Sequence, residues 1–372
     1  MTSKATRRPT TPLVTTLPAS VPFVGPEAQE RSRGRVFQAR LGANENGFGP
    51  SPKAIEAMEK AAADCWMYGD PESHDLRAAL ADHHGIGTDN IVVGEGIDGL
   101  LGYLVRMYTE PGRTVVTSDG AYPTFNYHVA GFGAELVKVP YRNDHEDLEA
   151  LAEKARETKA ALVYLANPDN PMGTWHGPEK VAAFLDALPE CALLVLDEAY
   201  IDTAPEGTAM PLDVEDTRLV RMRTFSKAYG MAGARVGYAL GQRDVIEGFN
   251  KVRNHFGMSR IAQAGALAAL KDQAYLSEVR QKIETSRRRI AGIAAAQGLK
   301  TLPSATNFVA IDCGRDGGFA RRVLAALIER DIFVRMPFVA PEDRAIRISC
   351  GPEAEMAAFE AAFADALKAA EG

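Results

Sequence analysis

The chain has 372 residues, 46% hydrophobic and 24% charged, and its 42 Lys+Arg against 49 Asp+Glu give a formal charge of −7. That apolar share excludes general disorder, and the acidic balance disfavours nucleic acid as a main partner. The apolar runs are far shorter than the ~20 residues that span a bilayer, so a cytoplasmic protein of two or three domains is expected.

The first twenty residues are rich in Thr and Pro and contain no acid. They lack the apolar core of a secretory signal and read as a loose arm. From residue 51 the pattern alternates. Helical spacing over 51–65 and 74–84 precedes a β-rich run at 90–93 that stops at Gly94. A helix is expected at 97–108, with further strands at 114–117, 136–139, 160–165, 192–196 and 219–224, separated mostly by helical stretches. Strands alternating with helices imply βαβ units, a largely parallel sheet covered on both faces, and ligands outside the carboxyl ends of its strands. A long helical stretch over 261–298 is interrupted near Asp272. The rhythm then changes to strand (308–311), helix (319–330), strands (332–335 and 345–349) and helix (353–368), a compact α+β unit. The expected organisation is an N-terminal arm (1–40), a large α/β domain (41–265) and a small C-terminal α+β domain (266–372) packed with part of the arm.

Four cysteines, Cys65, Cys191, Cys313 and Cys350, are widely spaced, with no CxxC and no Cys/His ligand spacing. They read as free thiols, with neither a structural metal nor a disulfide framework.

Three segments could carry chemistry. Gly94-Glu95-Gly96-Ile97-Asp98-Gly99 follows a strand and opens a helix. As a GxGxxG pattern it suits a nicotinamide site, a generic anion cradle built from free N–H groups at a helix N-terminus, or a structural turn. Leu193-Leu194-Val195-Leu196-Asp197 is a buried-strand pattern ending in an acid. A carboxylate there is costly unless paired, and it serves either a ligand or the capping of the next segment. Thr224-Phe225-Ser226-Lys227-Ala228-Tyr229-Gly230 leads through small residues to Arg235. A lone lysine in that setting is a solvated turn residue or a Schiff-base former, and the hydroxyls and guanidinium around it suit a phosphate.

Taken in order, these segments resemble the fold-type I, class I/II pyridoxal-phosphate-dependent aminotransferases, most nearly the histidinol-phosphate aminotransferase branch. Asn44-Glu45-Asn46-Gly47-Phe48-Gly49-Pro50-Ser51-Pro52, Tyr68-Gly69-Asp70-Pro71 and Asn167-Pro168-Asp169-Asn170-Pro171-Met172-Gly173 are similar to further motifs of that family. The resemblance covers about Leu41 to the C-terminus. It implies a large domain with a mainly parallel, seven-stranded-type sheet, a smaller C-terminal domain, pyridoxal 5'-phosphate as cofactor, and a homodimer with shared active sites. By the same resemblance Lys227 bonds the cofactor and moves a proton, and Asp197 pairs with the ring nitrogen. Asn170 and Tyr200 hold the phenolic oxygen, and Tyr122 stacks on the ring. Gly96, Ile97, Asp98, Thr224, Ser226 and Arg235 hold the phosphate, joined by Tyr68 from the neighbouring subunit. Arg347, Arg335, Asn44 and Phe23 are the implied substrate contacts, and no metal is implied.

Three departures from the family pattern bear on substrate: Phe23 where relatives carry a tyrosine, Gly47 where proline is usual, and Glu95 where a small amide is common. The implied reaction moves an amino group between an amino acid or amino-alcohol phosphate, foremost histidinol phosphate, and 2-oxoglutarate. Aromatic amino acids are the competing donors. A decarboxylase on the same scaffold would keep the same machinery, and a non-catalytic regulator would need a DNA-binding module that this sequence lacks.

Overall fold

The computed structural model describes residues 10–19 and 24–372. Its central sheet has seven strands: β1 (Ile91–Gly94), β2 (Thr114–Ser118), β3 (Glu135–Val139), β4 (Leu162–Ala166), β5 (Leu193–Asp197), β6 (Leu219–Thr224) and β7 (Gly237–Gly241). Their spatial order is β1-β7-β6-β5-β4-β2-β3. All neighbours run parallel except β7, which is antiparallel to both β1 and β6. The α/β architecture agrees with the sequence reading, which had not included β7. That strand is only Gly-Tyr-Ala-Leu-Gly, too short and too glycine-flanked to stand out. Its first glycine has a steric reason, because a Cβ on Gly237 would lie 2.6 Å from Ile97 N.

The middle strands β4 and β5 are buried along their whole length, which explains their near-continuous apolar sequence. Successive side chains alternate between faces. Leu162, Tyr164, Ala166, Leu193 and Val195 join one apolar cluster with Leu100, Leu104 and Phe125. Val163, Leu165, Leu194 and Leu196 join the opposite cluster with Leu151, Val181 and Phe184. On that alternation Asp197 falls on the same face as Tyr164.

In the C-terminal part, strand Phe308–Asp312 pairs antiparallel with Ala345–Ser349 and with Lys300–Thr301. Helices Gln273–Ala296, Gly317–Glu329 and Glu353–Glu371 share its core, which also takes in Ala39 and Leu41. Residues Ala39–Arg40 pair in parallel with Ile332–Phe333. The strand expected over 332–335 is cut to those two residues, and Arg335 rejoins through a single bridge opposite Arg347. The break expected at Asp272 separates helices Arg260–Lys271 and Gln273–Ala296. There the Asp272 carboxylate accepts from Ser51 Oγ at 2.5 Å and Lys53 Nζ at 2.9 Å, so the break ties the helix pair to the start of helix Pro52–Ala62. Gly47 also has a steric reason: a Cβ there would meet Pro352 Cδ at 2.7 Å. Among the described residues no helix is long and apolar enough to cross a membrane.

Candidate active site

A cavity of about 550 Å³ opens where β2, β4, β5 and β6 end. Each of these strands delivers residues just past its carboxyl end: Tyr122 after β2, Asn170 after β4, Asp197 and Tyr200 at and after β5, Thr224, Ser226 and Lys227 at and after β6. Local sequence therefore decides most of the lining, and the sheet decides that these loops converge.

Asp197 is buried and accepts two hydrogen bonds, from Tyr164 OH at 2.6 Å to Oδ2 and from Ala199 N at 2.9 Å to Oδ1. Burial pushes its carboxyl up to about 6, against the pull of those donors and of Lys227. Lys227 Nζ donates to the Asn44 carbonyl at 3.2 Å and stands 5.4 Å from the centre of the Tyr200 ring. Burial, and then the Arg347 cation, pull this amine down to about 8. Tyr200 OH accepts from Asn44 Nδ2 at 2.9 Å, and burial raises the phenol to about 12. Asn44 is itself fixed from the C-terminal part, since its N–H meets Ser349 Oγ at 3.1 Å and its carbonyl accepts from Asn307 Nδ2 at 3.0 Å.

At one side the helix Gly96–Tyr108 points its N-terminus at the cavity, with Ile97 and Asp98 in the lining. First-turn N–H groups lack helical partners and favour an anion. Gly96 sits behind the lining at φ 76°, and a Cβ there would lie 2.6 Å from Arg235 Nη2. Thr224 Oγ1 and Ser226 Oγ lie 3.0 Å apart beside them. Two backbone donors, two hydroxyls and a guanidinium around a glycine form the donor set a phosphate monoester requires. Glu95 does not line the cavity; its Oε1 accepts from Tyr103 OH at 3.1 Å.

At another side Arg347, buried on strand Ala345–Ser349, donates from Nη1 to Asn170 Oδ1 and lies 5.0 Å from the Phe308 ring. Its Nε is buried with no hydrogen-bond partner, and burial brings the guanidinium down to about 10. A buried cation with an unmatched N–H suits an incoming anion. Arg335 also lines the cavity, and its Nη2 donates to the Val24 carbonyl at 2.9 Å, while Pro26 and Glu27 at the start of helix Pro26–Arg33 line the same cavity.

The cavity thus collects Asn44, Ile97, Asp98, Tyr122, Asn170, Asp197, Tyr200, Thr224, Ser226, Lys227, Arg235, Arg335 and Arg347, with Gly96 bracing Arg235. Tyr68 does not line it. That ring is exposed and packs on Phe256 at 4.9 Å between centroids. Phe23 lies outside the described residues. Sequence reasoning missed Tyr164, which lines the cavity from β4. Its signal was a phenol in an otherwise apolar buried strand, since a buried tyrosine hydroxyl usually finds a partner. Two more buried acids close by also went unread. Asp169 accepts from Tyr141 OH at 2.8 Å, and Glu146 accepts from Ser118 Oγ at 2.5 Å and Ala166 N at 2.9 Å.

Comparison with known proteins agrees with this geometry. The sequence pattern of the family "Aminotransferase class I and II" matches residues 38–363. The histidinol-phosphate aminotransferase of Moorella thermoacetica is 33% identical over 346 residues, covering 92% of this chain and 88% of that protein. Histidinol-phosphate aminotransferase 2 of Pseudomonas fluorescens is 36% identical, covering 88% of each chain. A crystal structure of histidinol-phosphate aminotransferase from Sinorhizobium meliloti, in complex with pyridoxal 5'-phosphate, is 56% identical. It superposes with a TM-score of 0.95 over 98% of this chain and 99% of that one. This chain belongs to the class I and II aminotransferases.

Proposed function

We propose that the chain is a pyridoxal 5'-phosphate-dependent aminotransferase that takes the amino group of histidinol phosphate and passes it to 2-oxoglutarate. The observation that carries this reading is the half-buried amine of Lys227, set in one cavity with Asp197, a phosphate-type cradle and the unmatched Nε of Arg347. The names of the similar enzymes support the choice of donor. We further propose a large domain over 41–265 and a small one over 266–372, and a cytoplasmic place of action.

When bound, pyridoxal phosphate acts as an electron sink for the substrate Cα and carries the amino group from donor to acceptor. The protein does the rest. The first turn of helix Gly96–Tyr108, Thr224, Ser226 and Arg235 would hold the phosphate. Asp197 would pair with the ring nitrogen and favour its protonated form. Asn170 and Tyr200 would hydrogen-bond the phenolic oxygen, and Tyr122 would cover the ring. Lys227 Nζ, neutral in a useful fraction near pH 8, would be the amine that anchors the cofactor and the base that holds and moves a proton at the substrate Cα. Arg347, with Arg335 beside it, binds the anionic end of the substrate and keeps that Cα within reach of Lys227.

The depressed amine has a direct consequence. Only neutral Lys227 can capture the cofactor aldehyde, so capture by the apo-protein should rise roughly a hundredfold from pH 6 to pH 9 and then level off. Stopped-flow absorbance measures this, and a rate still climbing tenfold per unit above pH 9 would mean an ordinary lysine.

We also propose a homodimer in which Tyr68 reaches the partner's phosphate. The exposed rings of Trp66, Tyr68 and Phe256 support it as an apolar surface in need of cover. Mixing Tyr68→Ala with Lys227→Ala protein should restore about a quarter of wild-type activity, because mixed dimers carry one intact site each. Failure to recover any activity above that of Tyr68→Ala alone would remove Tyr68 from the partner's site.

The donor is tested by kcat/KM for histidinol phosphate, phenylalanine and tyrosine on one preparation. Histidinol phosphate should lead by tenfold or more. A tenfold lead for phenylalanine would overturn the donor and leave amino transfer standing.

A further inference from the structure

We propose that Tyr164 is a positioning residue which, by donating its hydroxyl hydrogen to Asp197 Oδ2 at 2.6 Å, fixes the carboxylate that holds the cofactor's ring nitrogen. The proposal rests on the reading of Asp197 given above and assigns a role to a residue that no motif carries.

The fold builds this contact deliberately. Strands β4 and β5 pair in parallel with Ala166 opposite Asp197, so Tyr164 lies two residues earlier on the same face. The Tyr164 ring is fully buried and stacked on Phe125, with centroids 4.6 Å apart and planes 19° from parallel. It cannot swing away without breaking that stack. Asp197 Oδ1 is held by Ala199 N at 2.9 Å, so both oxygens are fixed from the protein side while the group still lines the cavity.

The surroundings make the second donor matter. Glu198 disfavours a charged Asp197, Lys227 favours it, and Tyr122, Tyr200 and Glu146 all feel its charge. Burial is the largest influence and works against ionisation. The Tyr164 hydroxyl is the foremost opposing one, and a hydrogen bond to the charged form stabilises that form. Glu146, Asp169 and Glu198, also buried nearby, have donors of their own and do not line the cavity.

The test uses cofactor binding rather than turnover. Apo-protein carrying Tyr164→Phe keeps the ring and the stack, and thermal melting checks that it folds. Its dissociation constant for pyridoxal phosphate, by equilibrium dialysis, should be roughly 10- to 100-fold weaker than wild type, the worth of a hydrogen bond to a charged group. On acidification it should release cofactor at a higher pH. Replacing Tyr164 by 3-fluorotyrosine, a stronger donor of nearly the same size, should move release to lower pH. In an Asp197→Asn background, Tyr164→Phe should change affinity less than twofold. An affinity within twofold of wild type and an unmoved release pH in both Tyr164 variants would overturn the proposal and leave Tyr164 as packing. If Asp197→Asn alone left affinity unchanged, the reading of Asp197 would fail first, and the proposal with it.

Discussion

Lys227→Ala is expected to cut turnover by at least roughly four orders of magnitude, since it removes both the covalent anchor and the proton carrier. Among the described residues no other lysine lines the cavity. Its amine donates to the Asn44 carbonyl at 3.2 Å, which holds it within the cavity. The phosphate cradle does not involve Lys227, so the variant should still bind pyridoxal phosphate, only more weakly and without a covalent bond. Borohydride reduction of wild-type holoenzyme, followed by peptide mapping, should put the pyridoxyl label on Lys227 and none on the variant. A label on Lys251 or any other lysine would contradict the assignment.

The second large effect is expected at Asp197. An amide of the same shape keeps one acceptor oxygen, enough for the Ala199 N–H, while its NH2 turns to the Tyr164 hydroxyl oxygen, and it carries no charge to offset a protonated ring nitrogen. Asp197→Asn should therefore retain cofactor with reduced affinity and lose turnover by orders of magnitude, because an unprotonated ring is a poor electron sink. The absorbance of the bound cofactor should respond differently to pH in the variant. Near-normal turnover would reduce Asp197 to a structural cap. The raised carboxyl, at about 6, also fixes a sign: below that pH Asp197 takes up a proton, so cofactor retention by the wild type should weaken as pH falls.

Much of the site was legible because it is local in sequence. Asp197, Thr224, Ser226 and Lys227 lie at or just beyond strand carboxyl ends, where an apolar run stops at a polar residue. The alternating pattern likewise located six of the seven central strands. What escaped was of two kinds. Strand β7 is five residues long with glycine at both ends, and its place in the sheet is decided by its partners β1 and β6 rather than by its own pattern. Contacts between distant segments were also invisible. Asn44 is held by Ser349 and Asn307, and Arg335 by the Val24 carbonyl, and no local period encodes such pairs. Tyr164 lay between these cases, since its buried phenol was visible while its partner became evident only from the register of β4 and β5.

Amino transfer from histidinol phosphate is the reaction on which the proposed function stands. Its most direct test is a single turnover of the holoenzyme with histidinol phosphate and no acceptor, quenched and assayed for the form of the cofactor. Pyridoxamine phosphate is expected in an amount equal to the occupied sites, returned to pyridoxal phosphate with formation of glutamate when 2-oxoglutarate is added. Cofactor recovered wholly as pyridoxal phosphate, with histidinol phosphate unconsumed, would contradict it.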